Sequence, residues 1–255
     1  MEIKGKKTVI TGASSGIGHA LLEMLLDAGA IVVAASRNIE QLGLSHERLF
    51  VKNCDVSRKE DIDALFDFTL GKLNDIDLFV ANAGFAYYEQ IEEPNWNHIQ
   101  HIFHTNTVGL IYSAQKMKQI KGDNPYNFVC TASAMSFLSV PGYALYSSTK
   151  AAIRGFADAY RYELHQGQIF QVVYPVATKT NFFQAAGEDP PVPWPTQTAE
   201  QVAGAIFKGI RKNKLHIFPS KLFQITNFFN GIIPLVGRIY AGIENKKLQE
   251  WSNTK

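Results

Sequence analysis

Short runs of β-branched and aromatic residues alternate along the chain with longer stretches whose apolar positions recur at helical spacing. The short runs are Thr8-Val9-Ile10, Ile31-Val32-Val33, Leu49-Phe50-Val51, Leu78-Phe79-Val80, Phe128-Val129-Cys130, Val172-Val173-Tyr174 and Leu215-His216-Ile217-Phe218. Each predicts a strand, seven in all. Between them, residues 59–73 carry Ile62, Leu65, Phe66, Leu70 and Leu73 on one stripe, and 147–165 carry Ile153, Phe156, Tyr160 and Leu164. Such stretches predict helices with one buried face. Strand-helix-strand alternation of this kind implies an α/β fold, a parallel sheet with helices on both faces.

Composition narrows the function classes. A chain of 255 residues with 46% hydrophobic residues can bury a sizeable core, which excludes disorder. No internal repeat or linker interrupts it, so residues 1–255 are expected to form a single domain. Residues 185–198 (AAGEDPPVPWPTQT) are rich in proline, which should forbid regular structure and suits a lid or a plain surface connection. A net charge of +2, from 25 basic and 23 acidic residues well mixed, offers no patch for nucleic acid. Cys54 and Cys130 each end an apolar run, which predicts two buried thiols and a reducing, cytoplasmic setting. Met1 to Thr11 shows no export signal. The uncharged stretch from Lys221 to Arg238 is interrupted by Gln224, Thr226, Asn227, Asn230 and Pro234, so no membrane span is expected.

Directly after the first strand comes Thr11-Gly12-Ala13-Ser14-Ser15-Gly16-Ile17-Gly18, then a helical stretch through Ala20, Leu21, Met24 and Leu25. Glycines let a backbone turn sharply and approach a pyrophosphate, and the helix start offers free N–H groups. An ordinary glycine-rich turn would look the same, and the strict GxGxxG spacing fails at Leu21. The segment resembles the TGxxxGxG turn of the short-chain dehydrogenase/reductase family at every fixed position. Asp55-Val56 and Asn82-Ala83-Gly84, following the third and fourth strands, resemble that family's adenine-side aspartate and NAG motif. The resemblance runs from about residue 4 to 218. It implies a doubly wound, Rossmann-like seven-stranded parallel sheet with a cofactor across the carboxyl ends of the strands, and assembly as a homodimer or homotetramer. The second strand ends at Ser36-Arg37, where an acid would bind the ribose of NAD and an arginine suits the 2′-phosphate of NADP. NADP(H) is therefore the expected cofactor; the alternative makes Arg37 a solvated loop residue.

Tyr146 and Lys150 lie one helical turn apart in Tyr146-Ser147-Ser148-Thr149-Lys150. So short a pattern arises by chance, and Tyr112 with Lys116 is a second instance. Only Tyr146 has a serine, Ser133, 13 residues upstream at the end of a strand run. In the resembled family that serine and the YxxxK pair are catalytic, and Asn106 of Asn106-Thr107-Val108-Gly109 completes the set by anchoring a water that links Lys150 to solvent. A phenol with a pKa of about 10 exchanges protons poorly near neutrality, and a nearby cation favours its ionised form. Lys150 and an oxidised nicotinamide could both act so, while Ser133 steadies charge on the substrate oxygen and Lys150 also holds the nicotinamide ribose.

Three further points complete the reading. His98, His101 and His104 drift around a helix without a partner ligand, so no metal is expected, and Ser14-Ser15-Gly16 lacks the lysine of a triphosphate loop. The family's Pro-Gly after strand six is here Pro175-Val176; Thr178 and Thr180 are assigned to the nicotinamide side, and Ala132 replaces a small polar residue. The reaction implied is hydride transfer between nicotinamide and a carbonyl or alcohol carbon of a small molecule, with Tyr146 as acid or base; the competing class is a non-catalytic NADP-sensing or scaffold protein. The apolar run at 219–237 suggests an apolar substrate that it helps to enclose. The alternatives for segments 181–198 and 219–245 are a lid, an oligomer interface or, for the apolar run, docking on a membrane surface.

Overall fold

Thr8, Val9 and Ile10 sit in a five-residue strand, β1 (Lys7–Thr11), and the glycine-rich segment turns it into α1 (Gly16–Asp27). The computed structural model describes residues 1–180, 182, 190–233 and 235–253. After α1 come β2 (Ile31–Ser36), β3 (Leu49–Asn53), α2 (Lys59–Leu73), β4 (Leu78–Ala81), α3 (Trp96–Phe103), α4 (Gly109–Lys121), β5 (Tyr126–Thr131), α5 (Ala144–Tyr160) and β6 (Gln168–Val173). The chain continues through β7 (Ala177–Lys179), β8 (Thr196–Thr198), α6 (Ala199–Arg211), β9 (His216–Ile217), α7 (Lys221–Ile232) and α8 (Leu235–Ser252). All seven expected strands form one parallel sheet in the order β3-β2-β1-β4-β5-β6-β9. The order reverses between β1 and β4, where a doubly wound sheet opens a crevice at the carboxyl ends of its strands.

Period-two alternation divides the strand side chains between two cores. Val9, Phe79, Phe128 and Cys130 pack on the side that carries Ile62, Phe66, Met117 and Ile153 of α2, α4 and α5. Ile10, Leu78, Val80 and Val129 pack on the other, with Leu21, Leu25, Val202 and Ile206 of α1 and α6. On the first side Phe79, Phe128 and Phe170 stand in register across β4, β5 and β6. With Phe66 they form a stack whose successive ring centroids are 5.3, 5.2 and 5.1 Å apart. Phe128→Leu should lower stability by about 1–2 kcal/mol, because volume is nearly kept while both stacked contacts are lost. A urea titration with a lower midpoint and an unchanged slope is the expected result; an unchanged midpoint refutes the role given to the stack.

The structure corrects two expectations about local form. The proline-rich segment is not irregular throughout: Thr196–Thr198 pairs in parallel with Ala177–Lys179. The prolines at 190, 191, 193 and 195 all precede β8, which keeps its N–H groups, and Thr198 then caps α6 in a reciprocal box with Gln201. Residues 185–189 of that segment lie outside the described residues. The helix expected over 147–165 begins earlier and ends at Tyr160, after which Arg161–Glu163 make one tight turn and Leu164 is extended. Cys54 and Cys130 are buried free thiols. No helix among the described residues is long and apolar enough to cross a membrane.

Candidate active site

Two glycines in the β1–α1 turn are required by close approach. Gly12 has φ +66°, and a Cβ there would lie 2.8 Å from the Ala83 Cα; a Cβ on Gly18 would stand 2.0 Å from the Gly12 carbonyl oxygen. The turn is braced from β4: the Thr11 hydroxyl accepts the N–H of Asn82 (3.2 Å) and Ala83 (3.3 Å), and Asn82 Nδ2 donates to the Gly12 carbonyl (3.3 Å). Thr131 Oγ1 at the end of β5 donates to Asn82 Oδ1 (3.1 Å). Thus Asn82 acts as a tie between three strand ends. Ser15 precedes α1 without capping it through its side chain, which leaves first-turn N–H groups to meet an anion.

A cavity of about 380 Å³ opens along these strand ends. It is lined by Gly12, Ser14, Ser15, Gly16, Ile17, Ser36, Arg37, Asp55, Val56, Asn82, Ala83, Gly84, Ser133, Tyr146, Lys150, Pro175, Thr178 and Thr180. Of the catalytic and cofactor-binding positions expected from the sequence, Gly18, beneath the turn, and Asn106 are not on its wall. At one end the buried Ser36 hydroxyl has no hydrogen-bond partner among the described residues, and Arg37 is exposed beside it. Nearby, burial opposes ionisation of Asp55, but hydrogen bonds from Ser57 N–H (2.9 Å) and Oγ (2.7 Å), with the charge of Arg37, hold its carboxyl below the ordinary range. An anion-seeking turn, an unsatisfied hydroxyl and an arginine in one cavity fit a dinucleotide cofactor.

At the other end Tyr146, Ser133 and Lys150 converge. The Tyr146 phenol is buried, which pushes its pKa up to about 12, and a hydrogen bond with Ser133 opposes the rise. Lys150 Nζ donates to the Thr131 carbonyl (2.8 Å) and lies 5.5 Å above the Tyr146 ring. Burial draws its pKa down to about 8. For both groups burial is the largest cause. The Lys150 ammonium lies over the ring and on a backbone carbonyl, within reach of the phenol that it serves.

Asn106 supports this end from behind. It lies in a π-helical turn, His104–Val108, between α3 and α4. Its Oδ1 accepts the Phe85 N–H (3.0 Å), and its Nδ2 donates to the Phe85 carbonyl (2.9 Å) and to Thr149 Oγ1 (3.1 Å). It therefore joins the strand-four loop to the residue beside Lys150. Thr180 packs on the phosphate turn, its Cγ2 2.9 Å from where a Gly16 Cβ would be, and Val176 lines the cavity where the family usually has glycine.

Sequence reasoning missed the apolar wall around Tyr146. Met135, Tyr143, Phe85 and Phe182 line the cavity, and Phe182 meets the Tyr146 ring edge-on at 5.5 Å. Tyr143, one helical turn before Tyr146, carried the only usable signal. The run at 219–237 does not enclose the cavity as expected: none of its described residues lines it, and Leu222, Ile225, Phe228, Phe229, Ile232 and Ile233 are exposed. The inner face of α8 packs behind this end, where Tyr240, Leu248 and Trp251 join a cluster with Tyr88, Tyr143 and Tyr146. The second Tyr/Lys pair points elsewhere, Tyr112 donating to Asp63 (2.7 Å) and Lys116 pairing with the same carboxylate. His98 stacks on Tyr87 at 4.4 Å, and His101 hydrogen-bonds the Tyr87 hydroxyl (3.0 Å).

Comparison with known proteins bears on the family and the fold. The short chain dehydrogenase family profile matches residues 6–191. Farnesol dehydrogenase of Aedes aegypti is 30% identical over 173 residues, 63% of this chain and 71% of that protein. A short chain dehydrogenase/reductase from Burkholderia phymatum in complex with NAD superposes with a TM-score of 0.82 at 21% identity, covering 92% of this chain and 96% of that one. One from Burkholderia cenocepacia J2315 in complex with NADP gives 0.81 at 21% identity, covering 94% and 99%. The two structures speak for the fold. Fold, cavity and family profile together define an oxidoreductase. The chain belongs to the short-chain dehydrogenase/reductase family.

Proposed function

We propose that this chain, acting as one domain, is an NADP(H)-dependent oxidoreductase for an apolar carbonyl or alcohol, with Tyr146 as the proton donor or acceptor. The observation that carries the reading is the meeting of Tyr146, Ser133 and Lys150 at one end of a cavity whose other end holds the uncapped α1 start, Ser36 and Arg37. When bound, the nicotinamide supplies the hydride chemistry and, oxidised, a positive charge. The residues of this chain do the rest. In carbonyl reduction the Tyr146 hydroxyl donates its proton to the substrate oxygen, and its burial keeps that proton available at neutral pH. Ser133 Oγ, which accepts the Met135 N–H at 3.1 Å and bonds the Tyr146 hydroxyl, can turn its hydrogen onto the substrate oxygen to steady the developing negative charge. Lys150, fixed on the Thr131 carbonyl, orients the ribose and returns a proton toward Tyr146. Met135, Tyr143 and Phe182 exclude water from the reacting atoms. These walls and the farnesol dehydrogenase relative favour an apolar substrate. A cytoplasmic homo-oligomer is the accompanying reading.

NADPH oxidation against a panel of aliphatic and terpenoid aldehydes and ketones tests the activity; no turnover of any member would favour a binding protein. For the cofactor, Arg37→Asp should weaken NADP(H) binding roughly thirtyfold, about 2 kcal/mol for a lost charge-assisted contact to a phosphate, and spare NAD(H). If the wild type binds NAD(H) as tightly as NADP(H), the cofactor assignment fails.

A further inference from the structure

The hairpin of α7 and α8 shows solvent an apolar face that neither core uses. On α7, Leu222, Ile225, Phe228, Phe229 and Ile232 recur at helical spacing and are all exposed, Phe228 by 66% and Ile232 by 64%. On α8, Leu235, Ile239 and Ile243 continue the exposed face, while Tyr240, Leu248 and Trp251 turn inward. Trp194 is 68% exposed, and its carbonyl accepts the Tyr240 hydroxyl at 3.1 Å, which sets it beside the same hairpin. So large an exposed apolar face on a folded chain marks a contact surface. The charge around it selects the occupant. From Lys221 through Ile243 the chain has no Asp or Glu, but two cations, Lys221 and Arg238. Lys221 opens α7, and Arg238 lies between Leu235 and Ile239 on α8; both are exposed.

We propose that the outer face of the α7–α8 hairpin docks onto an anionic lipid surface, with Leu222, Ile225, Phe228, Phe229 and Ile232 entering the acyl boundary and Lys221 and Arg238 meeting the headgroups. An apolar helical face flanked by cations in this way lies in the membrane interface without spanning it. A second copy suits the face less well. A twofold contact would set the same patch against itself, and the patch holds no acid in 221–243 to pair with Lys221 or Arg238. The inner face of α8 packs in the cluster that holds Tyr143 and Tyr146, so the docked hairpin adjoins the substrate wall.

The inference stands apart from the proposed reaction, because docking is read without turnover. The full chain is floated with phosphatidylcholine vesicles containing about one third phosphatidylserine, and with phosphatidylcholine alone. Wild type should float with the anionic vesicles and release at high salt. Phe228→Ser with Phe229→Ser, and separately Lys221→Glu with Arg238→Glu, should each cut binding on the order of tenfold. All these side chains are exposed, so thermal midpoints should hold. Sedimentation without lipid should give wild type and variants the same mass. Failure of the wild type to float with anionic vesicles overturns the proposal. So does a loss of mass in the serine variant, which would make the face an interface between copies.

Discussion

Tyr146→Phe is expected to cut turnover roughly a hundred- to ten-thousand-fold, the range ascribed to a positioned proton-transfer group, while leaving the cofactor dissociation constant nearly unchanged. The ring itself has every reason to stay. It is buried against Phe182 at 5.5 Å and Tyr143 at 6.4 Å, under the Lys150 ammonium, and the substitution removes only the hydroxyl with its Ser133 hydrogen bond. Steady-state rates, with dissociation constants from fluorescence titration, check it. Tyr112→Phe is the control: it loses a 2.7 Å bond to Asp63 on the far side of α4 and should keep full activity. Equal rates for the Tyr146 variant and wild type would remove the mechanism. A matched loss of cofactor binding would point to a collapsed site instead.

The contrast between those two tyrosines shows how much of the site was legible. Spacing alone could not separate them, but the position of Ser133 after a strand could, because β5 ends and α5 begins over the same crevice. The strands were legible for a similar reason: β-branched runs such as Ile31-Val32-Val33 are buried on both faces and read as unbroken apolar stretches. Other features depend on distant partners. Asn106 braces Phe85 and Thr149, and Phe182 meets Tyr146 by contacts that no local pattern encodes. At β8 the prolines masked three pairing residues that follow them. The apolar run after Lys221 was legible as apolar but not as outward-facing, since composition does not say which side of a helix lacks a partner. Nor could the direction of the Tyr146 pKa be inferred: the sequence supplies a cation at the right spacing, and only the folded structure shows how deeply the phenol is buried.

The same burial makes Lys150 a liability for stability that only its function justifies. Lys150→Met is expected to abolish turnover and yet to raise unfolding free energy at neutral pH. Desolvation holds the folded pKa at about 8 against an ordinary 10.5. Below about pH 8 folded and unfolded chains both carry the charge, so the full burial cost is present. Between 8 and 10.5 the folded amine is neutral while the unfolded one still binds its proton, and the wild type recovers stability as pH rises. Above that range both are neutral and the cost is gone. The shift sets the cost at about 3 kcal/mol. Methionine removes it but leaves the Thr131 carbonyl without its 2.8 Å donor, a loss of about 1–2 kcal/mol. A net gain of roughly 1–2 kcal/mol follows near neutrality, and it should shrink and reverse by the upper end of the window as only the lost hydrogen bond remains. Urea midpoints of wild type and variant, measured at neutral pH and again near pH 10, read this directly. A variant less stable than wild type at neutral pH, or a difference that does not change sign or narrow with pH, would show that the Lys150 charge is accommodated by its surroundings rather than strained by them.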